Sequence, residues 1–150
     1  MNDIVIQLVA AALGSVGFAL ILKVNKNLLI YAALGGLITW GIYLLVYEYF
    51  PSLFIGNFVA SIFVGLYAEI MARAKKIPTT VFLTSASIPL IPGGRLYYSM
   101  AGLVSSDGDM FAENAKATLL IVLGIVVGLV VTAIFTKYFY KLINARGKIR

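Results

Sequence analysis

The chain has 150 residues, 61% hydrophobic and 12% charged, with a formal charge of +6 and a mean hydropathy of +0.99. A soluble domain carries about 25% charged residues, so this chain has too little polar surface to cover itself in water, and an all-α polytopic membrane bundle is expected, because helices satisfy their own backbone in hydrocarbon. There is no Cys and no His, which excludes disulfides, a Cys/His metal site and an imidazole base; no cofactor is expected, and proton coupling would fall to a carboxylate.

Charges punctuate the apolar runs. Asp3 to Lys23 brackets the first run, Lys26 to Glu48 the second and Glu48 to Glu69 the third; Lys76 to Arg95 and Lys116 to Lys137 bracket the last two. Each is about 20 residues, the length of helix that crosses about 30 Å of hydrocarbon. The expectation is a single integral membrane domain over 1–150 with five membrane helices, at about 4–22, 28–47, 53–72, 78–94 and 117–137. "MNDIVIQ" lacks the basic start of a cleaved signal peptide, so the first helix is expected to be a genuine span. "EYFPS", 48–52, reads as a turn, with Tyr47 and Tyr49 suited to an interfacial belt.

Lys and Arg set the orientation. Lys23 and Lys26, then Arg73, Lys75 and Lys76, then Lys137, Lys141, Arg146, Lys148 and Arg150 form three basic segments. Between them lie Glu48, and then Asp107, Asp109 and Glu113 with Lys116. The positive-inside rule puts the N-terminus outside and the C-terminus inside. The net charge is then an orientation signal in a lipid bilayer rather than a mark of nucleic-acid binding; a lipid- or nucleic-acid-binding basic tail is the lesser alternative.

The fourth run is interrupted by "SIPLIPGGRLYYSM", 87–100. With Lys76 inside and Asp107 outside, about 30 residues serve one crossing, and a straight helix of that length would be about 45 Å long. Pro89 and Pro92 remove bonds to the carbonyls of Ser85 and Ile88, and Gly93 and Gly94 free the chain's direction. The expectation is a helix from Pro78 to about Ile91, a break at 92–94 and a short helix over 95–104. Arg95 would open that helix, where free amides, the helix dipole and a guanidinium make an anion site; an arginine snorkelling to the headgroups is the alternative.

Polar groups recur within the runs. Asn57, Ser61, Gly65 and Glu69 stand every four residues on one helix face. They either pack against another helix, with Glu69 paired to Arg73, or line a transport path. Thr80, Thr84, Ser85 and Ser87 either satisfy carbonyls released by the prolines or line a cavity. Gly124, Gly128, Thr132 and Thr136 make a small-residue stripe expected to pack on a neighbour, and Ala32, Gly36 and Thr39 are the small groups of the second helix. No Ser–His pair and no phosphate-binding Gly-Lys-Ser/Thr loop is present, so an enzyme is not expected.

"AEIMARAKKIPTTVF", 68–82, leading into "IPLIPGGRLYYSM", 88–100, resembles the small membrane subunit of the threonine/serine exporter family. "GSVGFALILKV", 14–24, and "YAALGGLITWG", 31–41, resemble that family's opening. The most specific part is a Pro-x-x-Pro-Gly-x-x-x-Tyr frame formed by Pro89, Pro92, Gly93 and Tyr97. The resemblance implies export of threonine and serine, or of a dicarboxylate such as succinate in a related branch, driven by the proton motive force across a bacterial plasma membrane. It also implies a larger membrane subunit, resembling the family's first half, as partner, and homo- or hetero-oligomers follow from that. Carried over onto this chain are the frame residues with Glu69, Arg73, Pro78 and Thr80, Glu69 being the candidate for proton coupling. Arg95 falls in a variable slot, which places the backbone of Pro92, Gly93 and Gly94 ahead of it. A structural or assembly subunit, whose polar stripes only join helices, is the expectation from another class.

Overall fold

A computed structural model describes residues 2–147, with side chains from Asp3 to Lys141. Lys148, Arg150 and the side chain of Arg146 in the basic tail lie outside the described residues. Among the described residues six α-helices follow one another: α1 Asn2–Ile21, α2 Leu29–Tyr49, α3 Leu53–Lys75, α4 Thr79–Ser87, α5 Gly93–Val104 and α6 Gly108–Gly147. Short 3-10 turns, Lys26–Leu28 and Ile88–Leu90, precede α2 and follow α4. Asp3–Ile21, Lys26–Tyr49, Leu53–Lys75 and Gly108–Lys141 are each long and apolar enough to cross a membrane, and Thr79–Leu90 is a shorter apolar piece.

The helix ends are written in local chemistry. Ser52 caps α3, its Oγ accepting from the Ile55 amide at 3.4 Å, and Asp107 caps α6, its Oδ1 accepting from the Met110 amide at 3.0 Å. Lys23, Lys76 and Ser106 adopt left-handed φ of 55°, 55° and 59° just past α1, α3 and α5. The next amide in each case returns to a carbonyl of the last turn: Val24 to Ala19, Ile77 to Ala72 and Asp107 to Gly102. This closure is normally given to Gly.

α3 and α6 form the most extensive helix pair. They run side by side in one register: Gly124 against Phe54 and Asn57, Gly128 against Ser61, Gly65 against Thr132. Four-residue spacing on both helices keeps small residues facing one another, so the backbones approach closely, as membrane helices without a hydrophobic driving force require. α4 lies in the groove between α2 and α3, where Ala86 and Leu90 meet Ala60 and Val64, and Phe82 meets Ala68 and Ala72. α1 packs on α2, Ser15 facing Gly36, and its Gly14 meets Ile88 beyond α4.

The three basic segments meet at one end. Lys75 Nζ donates to the Tyr31 hydroxyl at 2.8 Å, joining α3 to the start of α2, and the Arg73 guanidinium lies 3.3 Å from the centre of the Tyr140 ring on α6.

Two expectations need correction. The helix expected over 78–94 is three pieces, since α4 stops at Ser87, Pro89 sits in a 3-10 turn, and Ile91 is extended. The break therefore falls at 88–92, not 92–94, and Gly93 and Gly94 begin α5 instead of 95. Neither has positive φ, so they do not serve as a flexible joint. The carbonyl of Ile88, released by Pro92, accepts from the Ile91 amide at 3.2 Å rather than from a hydroxyl. A 3-10 turn rises about 2.0 Å per residue and extended chain about 3.3 Å, against 1.5 Å in an α-helix. The segment is stretched, so Pro92 reaches the cavity that Asn57 borders near the start of α3. The residues left over build α5, which folds back on α6 through Gly102, packed against the Phe111 backbone.

The other correction concerns α6. It extends beyond the expected 117–137 to 40 residues, Gly108–Gly147, about 60 Å at 1.5 Å per residue. Asp109 lies in its first turn, where the helix dipole favours an acid. Charges end a membrane-compatible stretch without ending a helix.

Candidate functional site

The break borders a cavity of about 510 Å³. Pro89, Ile91, Pro92, Gly93, Gly94 and Arg95 form one side. α2 supplies an aromatic wall in which Trp40 stacks on Tyr43 with ring centres 4.8 Å apart, and Tyr43 on Tyr47 at 5.7 Å. Gln7, Asn57, Tyr98 and Ile121 contribute from α1, α3, α5 and α6.

The start of α5 is electropositive. Pro92 gives no side-chain cap; the Gly93 amide turns back to the Ile91 carbonyl at 2.8 Å, and the Leu96 amide bonds Pro92 at 2.9 Å. Among the described residues nothing caps the amides of Gly94 and Arg95. Such amides carry the positive end of the helix dipole. Arg95 Nη1 donates to Asn114 Oδ1 at 3.2 Å and lies 4.0 Å from Glu113, and Asn114 is itself fixed by donating to the Met110 carbonyl at 2.8 Å. Among the described residues Arg95 is the one charged residue in the cavity lining. A Cβ added at Gly93 or Gly94 would meet no atom within 4 Å, so no close helix contact requires either glycine, and both line the cavity. The arrangement can receive an anionic group at the α5 end and a cation or apolar body along the aromatic wall.

The sequence candidates separate here. Pro89, Pro92, Gly93, Gly94, Arg95 and Asn57 come together around the cavity. Tyr97 turns away, 68% exposed, with its ring edge-on to Tyr98, and Tyr98 takes the place at the cavity. Ser61 is completely buried between α3 and α6, donating to the Phe58 carbonyl at 2.9 Å and lying 3.4 Å from that of Gly124. Thr84 donates to the Thr80 carbonyl at 2.7 Å, one turn back along α4, and neither threonine borders the cavity. The hydroxyls of Thr84, Ser85 and Ser87 bond the carbonyls of Thr80, Val81 and Thr84, not those freed by the prolines.

Glu69 and Arg73 lie at the other end of α3, paired at 3.1 Å. They line a separate cavity, also about 510 Å³, with Ala133, Thr136, Lys137, Tyr140 and Lys141 of α6. Twelve helical residues, about 18 Å, separate Asn57 from Glu69.

The profile of a protein family described as "Threonine/Serine exporter, ThrE" matches residues 7–135. The chain belongs to that family. It is a multi-pass membrane protein of an amino-acid export family. No solved structure matches it. Within this exporter-family chain the residues that sequence reasoning missed are Gln7, Trp40, Tyr43, Tyr98 and Asn114. Trp40, Tyr43 and Tyr47 stand three and four residues apart, a helical aromatic stripe that was visible in the sequence. Asn114 carried no such signal, because its role depends on α5 folding back along α6.

Proposed function

We propose that the chain is one subunit of a secondary active exporter of small carboxylate-bearing solutes, threonine and serine first and dicarboxylates such as succinate second. It works with a larger membrane subunit resembling the family's first half. The observation that carries this reading is the meeting of Arg95, Asn57 and the open amides of Gly94 and Arg95 in one cavity with no carboxylate in its lining among the described residues. A substrate carboxylate would bind at the α5 end by charge-assisted bonds. The ammonium of an amino acid would lie against Tyr43 or Trp40, whose ring faces attract cations. Asn57 offers its Oδ1 to a side-chain hydroxyl, its amide nitrogen already donating to the Leu53 carbonyl at 2.8 Å. Glu69 is the proposed proton-coupling carboxylate, acting from the opposite end of α3.

An assembly subunit without a substrate site accounts for Ser61 and Gly65, which join α3 to α6. It gives no reason for Gly93 and Gly94, which line the cavity and where a Cβ would meet no neighbouring helix.

The test is efflux from proteoliposomes holding this chain and its larger partner, singly and together. Threonine or serine efflux from the pair, lost with Arg95→Gln, is expected. Movement of neither amino acids nor dicarboxylates by the pair would sink the proposal. Glu69→Gln is expected to stop proton-driven efflux while leaving substrate exchange intact.

A further inference from the structure

The cavity at the basic end differs in chemistry from the one at the break. Among the described residues its lining holds three cations, Arg73, Lys137 and Lys141, against one acid, Glu69. The α6 members Ala133, Thr136, Lys137, Tyr140 and Lys141 share one helix face, since they stand three and four residues apart. Arg73 is held from two directions, its Nη2 donating to Glu69 at 3.1 Å and its plane lying over the Tyr140 ring at 3.3 Å. A guanidinium fixed in this way keeps its remaining in-plane N–H groups directed and needs little further ordering to bind. Glu69 and Tyr140 therefore set the arginine in place without neutralising the cavity. Lys137 and Lys141, one turn apart and exposed, have no ion-pair partner among the described residues.

The surroundings are apolar. Ile70 on α3, and Ile134, Phe135, Tyr138 and Phe139 on α6, are exposed around the basic cluster. Arg73 lies in the last turn of a helix of membrane-spanning length, which suits the cations to headgroup level, with Ile70, Ile134 and Phe135 up to a turn further into the apolar stretch and Tyr138 and Phe139 flanking the lysines. A basic cavity between two membrane helices, with apolar surface leading from it, matches a lipid with an anionic headgroup. A free anion would satisfy the cations but leave the apolar surface without a role.

We propose that this cavity is a phosphate site occupied by the headgroup of an anionic phospholipid, its oxygens held by Arg73, Lys137 and Lys141 and its acyl chains running along α3 and α6. The bound lipid would bridge the two helices at the end where the Arg73–Tyr140 contact joins them. This is independent of what the cavity at the break carries.

Native mass spectrometry of the full chain in neutral detergent tests it, with phosphatidylglycerol, phosphatidylcholine and inorganic phosphate as probes. The wild-type chain is expected to retain phosphatidylglycerol in preference to phosphatidylcholine. Lys137→Gln with Lys141→Gln removes two exposed charges and should weaken phosphatidylglycerol retention roughly thirtyfold. Lys23→Gln with Lys26→Gln, at the same end but outside the cavity, should leave it within about twofold. Millimolar inorganic phosphate should not displace the lipid. Equal loss in both double variants would reduce the effect to general surface charge and overturn the site, as would unchanged retention in the Lys137/Lys141 variant or equal retention of the two lipids. Displacement by inorganic phosphate would overturn the lipid as occupant and assign the cavity to a free anion.

Discussion

The indole N–H of Trp40 donates to Oε1 of Gln7 at 3.1 Å, tying α1 to α2 at the wall of the cavity beside the break. The pair also borders a smaller cavity of about 280 Å³, which Ala10, Ala11 and Pro89 help to line. Trp40→Phe keeps an aromatic face for Tyr43 and deletes the donor. One such bond is worth about 1 kcal/mol of stability, so the thermal midpoint of the purified chain is expected to fall by a few degrees, and threonine efflux by the proposed transporter is expected to fall with the loosened cavity wall. A wild-type rate in the variant would remove the Trp40–Gln7 bond from the proposed transport site.

Gly93 and Gly94 offer a cleaner separation of folding from function. Neither needs a left-handed backbone and a Cβ on either meets nothing. Gly93→Ala should fold at least as well as the parent, because Ala is favoured over Gly in a helix by roughly 0.5–1 kcal/mol. Gly93→Val adds branched bulk at the cavity and should abolish efflux while membrane insertion and assembly stay intact. Loss of assembly in the valine variant would return these glycines to a structural role.

The α3–α6 seam should behave in the opposite way. A Cβ on Gly128 would collide with the Ser61 hydroxyl and come within 2.6 Å of the Phe58 carbonyl oxygen; at Gly124 the Phe54 carbonyl oxygen is 2.6 Å away. Backbone cannot yield as a side chain does, so Gly128→Ala is expected to destabilise by about 1–3 kcal/mol, read by thermal unfolding in detergent. Adding Ser61→Gly should recover only part of the loss, since the Phe58 carbonyl remains. Full recovery would show the clash to be with the side chain alone.

Ser15 poses a sharper question for packing. It is completely buried against Gly36, and its Oγ has no hydrogen-bond partner among the described residues. Leaving a polar group buried and unpaired costs about 1–3 kcal/mol. Ser15→Ala should therefore raise the thermal midpoint or leave it unchanged, whereas Gly36→Ala should lower it, its Cβ meeting Ser15 and, at 3.0 Å, the Ala11 carbonyl. A fall in midpoint for Ser15→Ala would mean that the hydroxyl is satisfied in the membrane.

Much of the site was legible because proline and glycine leave strong local marks. Pro89 and Pro92 identified the segment that breaks, since each deletes an amide from the helical ladder. The exact position of the break was not legible. Whether Ile88 to Pro92 or Pro92 to Gly94 leaves the helix depends on how far the chain must reach to keep Ala86 and Leu90 against Ala60 and Val64. Tyr97 and Tyr98 are neighbours of the same type, and which of them meets the cavity is set by the rotation of α5 on α6, fixed where Gly102 meets Phe111. The row from Asn57 to Glu69 was visible as a stripe, but a stripe of small and polar residues does not state its partner.

The sequence by itself determined the membrane class, the helical content and the collection of basic segments at one end. These follow from apolar length, backbone self-satisfaction and the spacing of charges, all of which are local along the chain. Only the tertiary structure decided that Ser61 is sealed against α6 while Asn57, one turn away, borders a cavity. It also decided that α6 continues past its apolar stretch to hold α5, and that Asn114 holds Arg95. Those outcomes depend on which helix face meets which neighbour, a relation between residues distant in sequence that no local periodicity contains.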